Sequence, residues 1–213
     1  AIVAKQPIIS KELLDKHVII RTLGDLFGAL FFVSAIVLTP LSSASAILQG
    51  TPLAVTAGAA IFLRETVCLR LWLAVIIGFI GIILIIKPGV ADFSPFSLLA
   101  VAAVICLSAR DLATRAMSVA LPTITISIYA FVALALAGVL AIPFYGSFVS
   151  PGLSECALFM VGISSGVVAY YLIVGATRYG DASLIAPFRY SRLVFAMLLS
   201  LFILGERPDL FTW

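Results

Sequence analysis

The sequence predicts an all-α integral membrane protein with seven transmembrane helices. Three observations carry that expectation. The 213 residues are 63% hydrophobic and only 11% charged, where a soluble globular chain carries roughly 25% charged residues. The mean hydropathy is +1.24, so there is too little polar surface to cover a water-exposed core, and lipid is the remaining solvent. The apolar residues also lie in continuous runs long enough for a helix to span the hydrocarbon, without the ten-residue alternation of a barrel strand.

The runs lie near Thr22–Pro40, Ala44–Leu63, Leu69–Ile86, Phe96–Met117, Thr123–Phe144, Glu155–Ala176 and Ala182–Leu204. Turn sequences such as Lys-Pro-Gly-Val-Ala-Asp and Tyr-Gly-Ser-Phe-Val-Ser-Pro-Gly separate them, as Gly and Pro punctuation requires. Asp181, and Ser94 or Asp92 ahead of Pro95, are expected helix starts. The first twenty residues are polar and mixed, unlike a signal peptide. Both ends read as cut from a longer protein.

Basic residues set the expected orientation. Alternating the polar segments puts Lys5, Lys11, Lys16, Arg21, Arg64, Arg70, Arg110, Arg115 and Arg178 on one side and Lys87 and Arg207 on the other. Such asymmetry marks the richer side as cytoplasmic, so the N-terminal segment is expected in the cytoplasm. A net charge of +3 gives no reason to expect nucleic acid. Cys68, Cys106 and Cys156 form an odd, unpatterned set, which supports neither a disulfide framework nor a metal site. No cofactor is expected.

A short repeat suggests internal symmetry. Leu63-Arg64-Glu65 closes the second run with Trp72 seven residues after the acid, and Leu204-Gly205-Glu206 closes the seventh with Trp213 at the same offset. The two runs would cross the membrane in opposite directions, as in an inverted repeat.

Phe62-Leu63-Arg64-Glu65, followed by Trp72-Leu-Ala-Val-Ile-Ile-Gly78-Phe-Ile-Gly81, resembles the fourth and fifth helices of an EamA domain of the drug/metabolite transporter superfamily. Ala182-Ser-Leu-Ile-Ala-Pro187-Phe-Arg-Tyr190, running to Glu206, resembles the ninth helix. The resemblance implies a ten-helix protein of two inverted five-helix halves, of which this chain covers helices three to nine. Residues 1–91 would then be the C-terminal part of the first half and residues 92–213 most of the second. Pro52 stands thirteen residues before Glu65, as the family favours, whereas Leu193 holds the matching place before Glu206.

The candidate binding residues follow from polarity inside apolar runs. Arg189 and Arg192 share a helix face, and Arg192 lies roughly 16 Å from Asp181 and about 20 Å from Gly205 by helix rise. A charge at that depth should face a polar cavity or a partner, and a guanidinium there suits a carboxylate or phosphate. Arg189 is close enough to the interface to snorkel. Gln49 and Pro52 interrupt the second run, where freed backbone carbonyls beside an amide suit a ligand, although a packing kink is an equal reading. Tyr129, Tyr170 and Tyr190 could stack on or hydrogen-bond a solute. Glu65 and Glu206 are expected as helix-end or gating residues, paired with Arg64, Arg70 or Arg207.

Asp25 reads as lying near the cytoplasmic end of its run, leaving no acid at mid-membrane. Gly162-Ile-Ser164-Ser-Gly166 matches the G-x-S-x-G hydrolase pattern, but it sits inside an apolar helix and the only His is His17, so helix packing is the better reading.

The expected function is transport of a small polar or anionic organic metabolite by alternating access, with no catalysis. The competing classes are a seven-helix receptor, for which no Lys follows Lys87 to carry a retinal, and an intramembrane enzyme, for which no paired Asp is present. The expected partners are a small-molecule substrate and the lipid bilayer, with a homodimer as an open assembly. The expected location is a cell membrane, the inner one in a bacterium.

Overall fold

A computed structural model describes residues 15–86, 94–117, 123–145, 151–179, 191–192, 194–199 and 201–203. Among the described residues up to Tyr179, the helices are ordered α1 (Lys16–Leu38), α2 (Leu41–Leu48), α3 (Gly50–Phe62), α4 (Leu69–Ile86), α5 (Ser97–Ala116), α6 (Thr123–Tyr145) and α7 (Leu153–Tyr179). Helices α2 and α3 together make one span, so six stretches among the described residues are long and apolar enough to cross a membrane. The expected seventh, Ala182–Leu204, lies partly outside the described residues, and its described residues are helical up to Phe202. The protein is an all-α, multi-pass membrane protein.

Local chemistry sets the boundaries. The Asp15 carboxylate accepts the His17 backbone N–H at 2.8 Å, an N-cap that satisfies one of the open donors of a first turn. Helix α1 therefore begins at Lys16, a turn and a half before the apolar run that marks it in the sequence. It ends at Thr39, which is extended at φ −140° and ψ 160°, as a residue before proline tends to be.

The α2–α3 break has a clear cause. Pro52 lacks the N–H that would bond to the Leu48 carbonyl, and its ring crowds that oxygen. The Leu48 carbonyl instead accepts the Thr51 hydroxyl at 2.7 Å, and Gln49 sits at the junction. Helix α3 stops where Arg64 takes a left-handed conformation (φ 55°), with the Glu65 N–H reaching back to the Ala59 carbonyl at 3.2 Å. At the start of α7 the Glu155 carboxylate accepts the Gly152 N–H at 2.8 Å, the return arm of a capping box.

Helix α5 is central. It runs along α1 and also meets α2 and α3, while α4 lies on α2 and α3, and α7 packs chiefly on α6. The core between α1, α2 and α5 is small-grained: Ala35, Ala44, Ala100 and Ala103 are fully buried beside Ile47, Leu48 and Val104. Small residues let membrane helices approach closely, where dispersion is a main source of attraction. The limit is reached at Gly24, where an added Cβ would stand 2.7 Å from the Cys106 carbonyl oxygen and 2.9 Å from the Arg110 Cβ. One turn on, a Cβ at Gly28 would lie 2.7 Å from a Leu107 methyl. Gly24 and Gly28 form a G-x-x-x-G face on which α1 rests directly against α5.

Candidate functional site

Between those two glycines sits Asp25, 1% exposed. Because α1 starts at Lys16, Asp25 is about 13 Å into the helix, close to its middle. This corrects the expectation that it lies near a helix end. The Asp15 cap, which lengthens α1, is what moves it inward.

A buried carboxylate needs compensation, and both oxygens receive it. Arg21, one turn earlier on α1, donates Nη1–H to Oδ2 at 3.1 Å. Arg110 on α5 donates Nη1–H to Oδ1 at 3.1 Å. The Tyr170 hydroxyl of α7 lies 3.3 Å from Oδ2 and accepts from Arg21 Nη2 at 2.8 Å. Arg110 also grips its neighbour Asp111, with Nε and Nη2 at 2.9 and 2.8 Å from Oδ1. The two guanidiniums and two carboxylates cancel. Arg21 Nε is buried with no hydrogen-bond partner among the described residues.

Arg21 and Arg110 were counted from sequence among the basic residues bordering the spans. In the structure Arg21 is 3% exposed inside α1, and Arg110 lies within α5. The asymmetry survives without them. Arg21, Asp25 and Arg110 are the polar residues that sequence reasoning passed over. The i,i+4 Arg–Asp pair and the Gly24-x-x-x-Gly28 spacing around it were the available signals.

A second polar group forms at the α2–α3 break. Arg192 Nη2 donates to Gln49 Oε1 at 3.0 Å. Gln49 is buried on its own helix pair, whereas Arg192 stands exposed on the last stretch. The Ser108 hydroxyl of α5 approaches the Thr51 carbonyl at 3.4 Å. Ser108 and Arg110 are two residues apart, so along α5 the two polar groups differ in level by about 3 Å.

The remaining candidates divide. Pro52 causes the break and is half-buried. Tyr129 and Tyr170 pack against Val18 and Ile126, with Met117 alongside, and the Tyr170 ring lies 5.3 Å from that of Phe131. Glu65 is a helix-end residue, but its partner is Arg115 at 3.5 Å and not Arg64 or Arg70. Arg189, Tyr190, Glu206 and Arg207 lie outside the described residues. A groove of about 180 Å³ between α2, α4 and α5 is lined by Ile47, Phe79, Ile82 and other apolar residues, which offers a polar solute nothing to bind.

The chain is similar to known proteins. An S-adenosylmethionine uptake transporter of Rickettsia bellii is 30% identical over 191 residues, covering 90% of this chain and 65% of its own length. A riboflavin transporter of Vibrio cholerae is 29% identical over 178 residues, covering 82% of this chain and 58% of its own length. The chain thus spans less than two thirds of these relatives. A solved crystal structure superposes with a TM-score of 0.69 at 21% identity, covering 99% of this chain and 76% of that one, which supports the same fold. Residues 95–213, more than half of the chain, match the EamA-like transporter family, and the chain belongs to that family.

Proposed function

We propose that the protein moves a small polar or anionic organic metabolite across the membrane by alternating access. The observation that carries this reading is the Arg192–Gln49 hydrogen bond, which sets a guanidinium and an amide together at a proline-induced helix break. Broken helices beside polar side chains are where transporters of this build hold their solutes. The relatives named for uptake of S-adenosylmethionine and for riboflavin support an organic metabolite as cargo. Both molecules join a fused nitrogen heterocycle to a polyhydroxylated sugar or sugar-alcohol group, so they are suitable first test solutes.

In this reading residues 1–91 and 92–213 belong to two inverted halves that rock around the site. Arg192, Gln49 and Pro52 contact the solute with Arg189 and Tyr190, while Tyr170 and Tyr129 bound the site. Glu65 and Glu206 close helix ends. The N-terminal segment faces the cytoplasm, in the inner membrane if the host is bacterial. Impermeant thiol labelling in intact cells, on a cysteine-free background, tests the orientation: Ser94→Cys should react and Ser118→Cys should not, and the opposite pattern inverts the assignment.

The deciding measurement is uptake into proteoliposomes of labelled S-adenosylmethionine and riboflavin. Arg192→Ala should weaken transport of the accepted solute, since losing one charged hydrogen bond costs on the order of 1.5–3 kcal/mol, about 10- to 150-fold in affinity. Arg192→Lys should recover part, because it keeps the charge and loses the fork. Wild-type kinetics in a monodisperse Arg192→Ala protein would remove Arg192 from the site.

A further inference from the structure

The bonds around Asp25 join three helices that are held in different ways. Helices α1 and α5 touch backbone to side-chain base at Gly24, where not even a Cβ fits, and are ion-paired through Asp25 and Arg110. This pair has no slack along its contact. Helix α7 is the opposite case. Every residue from Leu153 to Ala169 is exposed, and α7 packs chiefly on α6. At the ionic cluster its hold is one hydroxyl, that of Tyr170, placed on Arg21 and Asp25.

The position of that hydroxyl gives it a consequence. Below it, toward the Lys16 end of α1, Val18 and Ile126 are buried against Met117, Tyr129 and the Tyr170 ring itself. These residues come from the start of α1, the end of α5, the start of α6 and α7, so together they plug one side of the bundle. Tyr170 belongs both to the plug, through its ring, and to the ionic cluster, through its oxygen.

We propose that the Tyr170 hydroxyl is a releasable latch. Helix α7 parts from the fixed α1–α5 pair by giving up its bonds to Arg21 and Asp25, which carries the Tyr170 ring out of the plug and opens the molecule on the side of Lys16 and Met117. Arg21 and Asp25 keep each other when the latch releases, since their own contact lies within α1. No charge is then left alone, so the exchange has a low electrostatic cost. This motion would be one half-cycle of the transport proposed above and rests on that reading. It concerns how one side closes, not what is carried.

The test reads the plug directly. In the intact protein in liposomes, with Cys68, Cys106 and Cys156 replaced by Ala, an Ile126→Cys thiol reports access to a residue that is 2% exposed. Its reaction with N-ethylmaleimide should be slow. Adding Tyr170→Phe keeps the ring against Phe131 and removes only the oxygen, and the rate should rise about 10- to 150-fold, the range for hydrogen bonds involving charged groups. An unchanged rate in Tyr170→Phe protein of wild-type melting temperature overturns the latch. Should that variant not fold, backbone hydrogen exchange of the unsubstituted protein decides: residues 164–176 should exchange faster than residues 20–32, and equal protection of the two overturns the proposal. Neither readout needs a solute. A failed latch therefore leaves the Arg192 uptake experiment standing, and a failed uptake experiment leaves the labelling result intact.

Discussion

Helices α1 and α7 are both apolar enough to cross a bilayer, yet they meet the rest of the molecule in opposite ways. Helix α1 turns Arg21, Gly24, Asp25 and Gly28 inward and buries them. Helix α7 carries its own Gly162, Gly166 and Gly175, and an added Cβ at any of them would meet nothing within 4 Å among the described residues. The same residue type thus serves close contact in one helix and marks no contact in the other. Glycine frequency alone says little about packing in membrane helices, where Gly is common. The discriminating feature is a charged residue between the glycines, one of whose oxygens is satisfied from a neighbouring helix.

The comparison can be broken most strongly at Asp25. Asp25→Ala strands Arg21 and leaves Arg110 only its Asp111 pair, and removing one member of a buried ion cluster is expected to cost about 3–5 kcal/mol. Thermal unfolding in lipid nanodiscs would show it. Replacing the group together, as Asp25→Leu with Arg21→Met, should recover part of that loss, because the stranded charge is the main penalty. A full-strength Asp25→Ala protein would mean that water or lipid headgroups reach the site.

A smaller loss is expected from Gly24→Ala. Its Cβ would press on the Cys106 carbonyl oxygen at 2.7 Å, and overpacking of this kind costs about 1–3 kcal/mol. The effect should appear as a lower melting temperature with the Asp25 ion pairs retained. The smallest effect belongs to the α7 counterpart. Gly166→Ala should leave the melting temperature unchanged within error, since nothing among the described residues stands near the new methyl group. A substantial drop there would show that another surface covers α7 in the membrane.

Much of the fold was legible because a membrane helix must satisfy its backbone within itself, which turns length and apolarity into reliable signals. Five of the expected spans match helices to within a few residues. The first was read six residues short at its start, because Lys16 and Arg21 look like boundary charges until Asp15 and Asp25 are seen to satisfy the cap and the guanidinium. The candidate site was legible in parts. Gln49 and Arg192 stood out as isolated polar residues in apolar runs, but their meeting joins residues 143 apart in sequence, which no local pattern encodes. The Arg110 ion pair was missed for a different reason. A guanidinium near a span end reads as interfacial, and only the close approach of α1 at Gly24 turns it inward.

The charge pairs also bear on how such helices enter a membrane one after another. Asp25 lies 85 residues ahead of Arg110 in the chain, so α1 meets the bilayer before its eventual partner has been made. It does so with Arg21 one turn from Asp25, and α5 in turn brings Arg110 with Asp111 beside it. Each helix carries a counter-charge of its own, so the Asp25–Arg110 bond that joins them is added between segments that are already locally neutral.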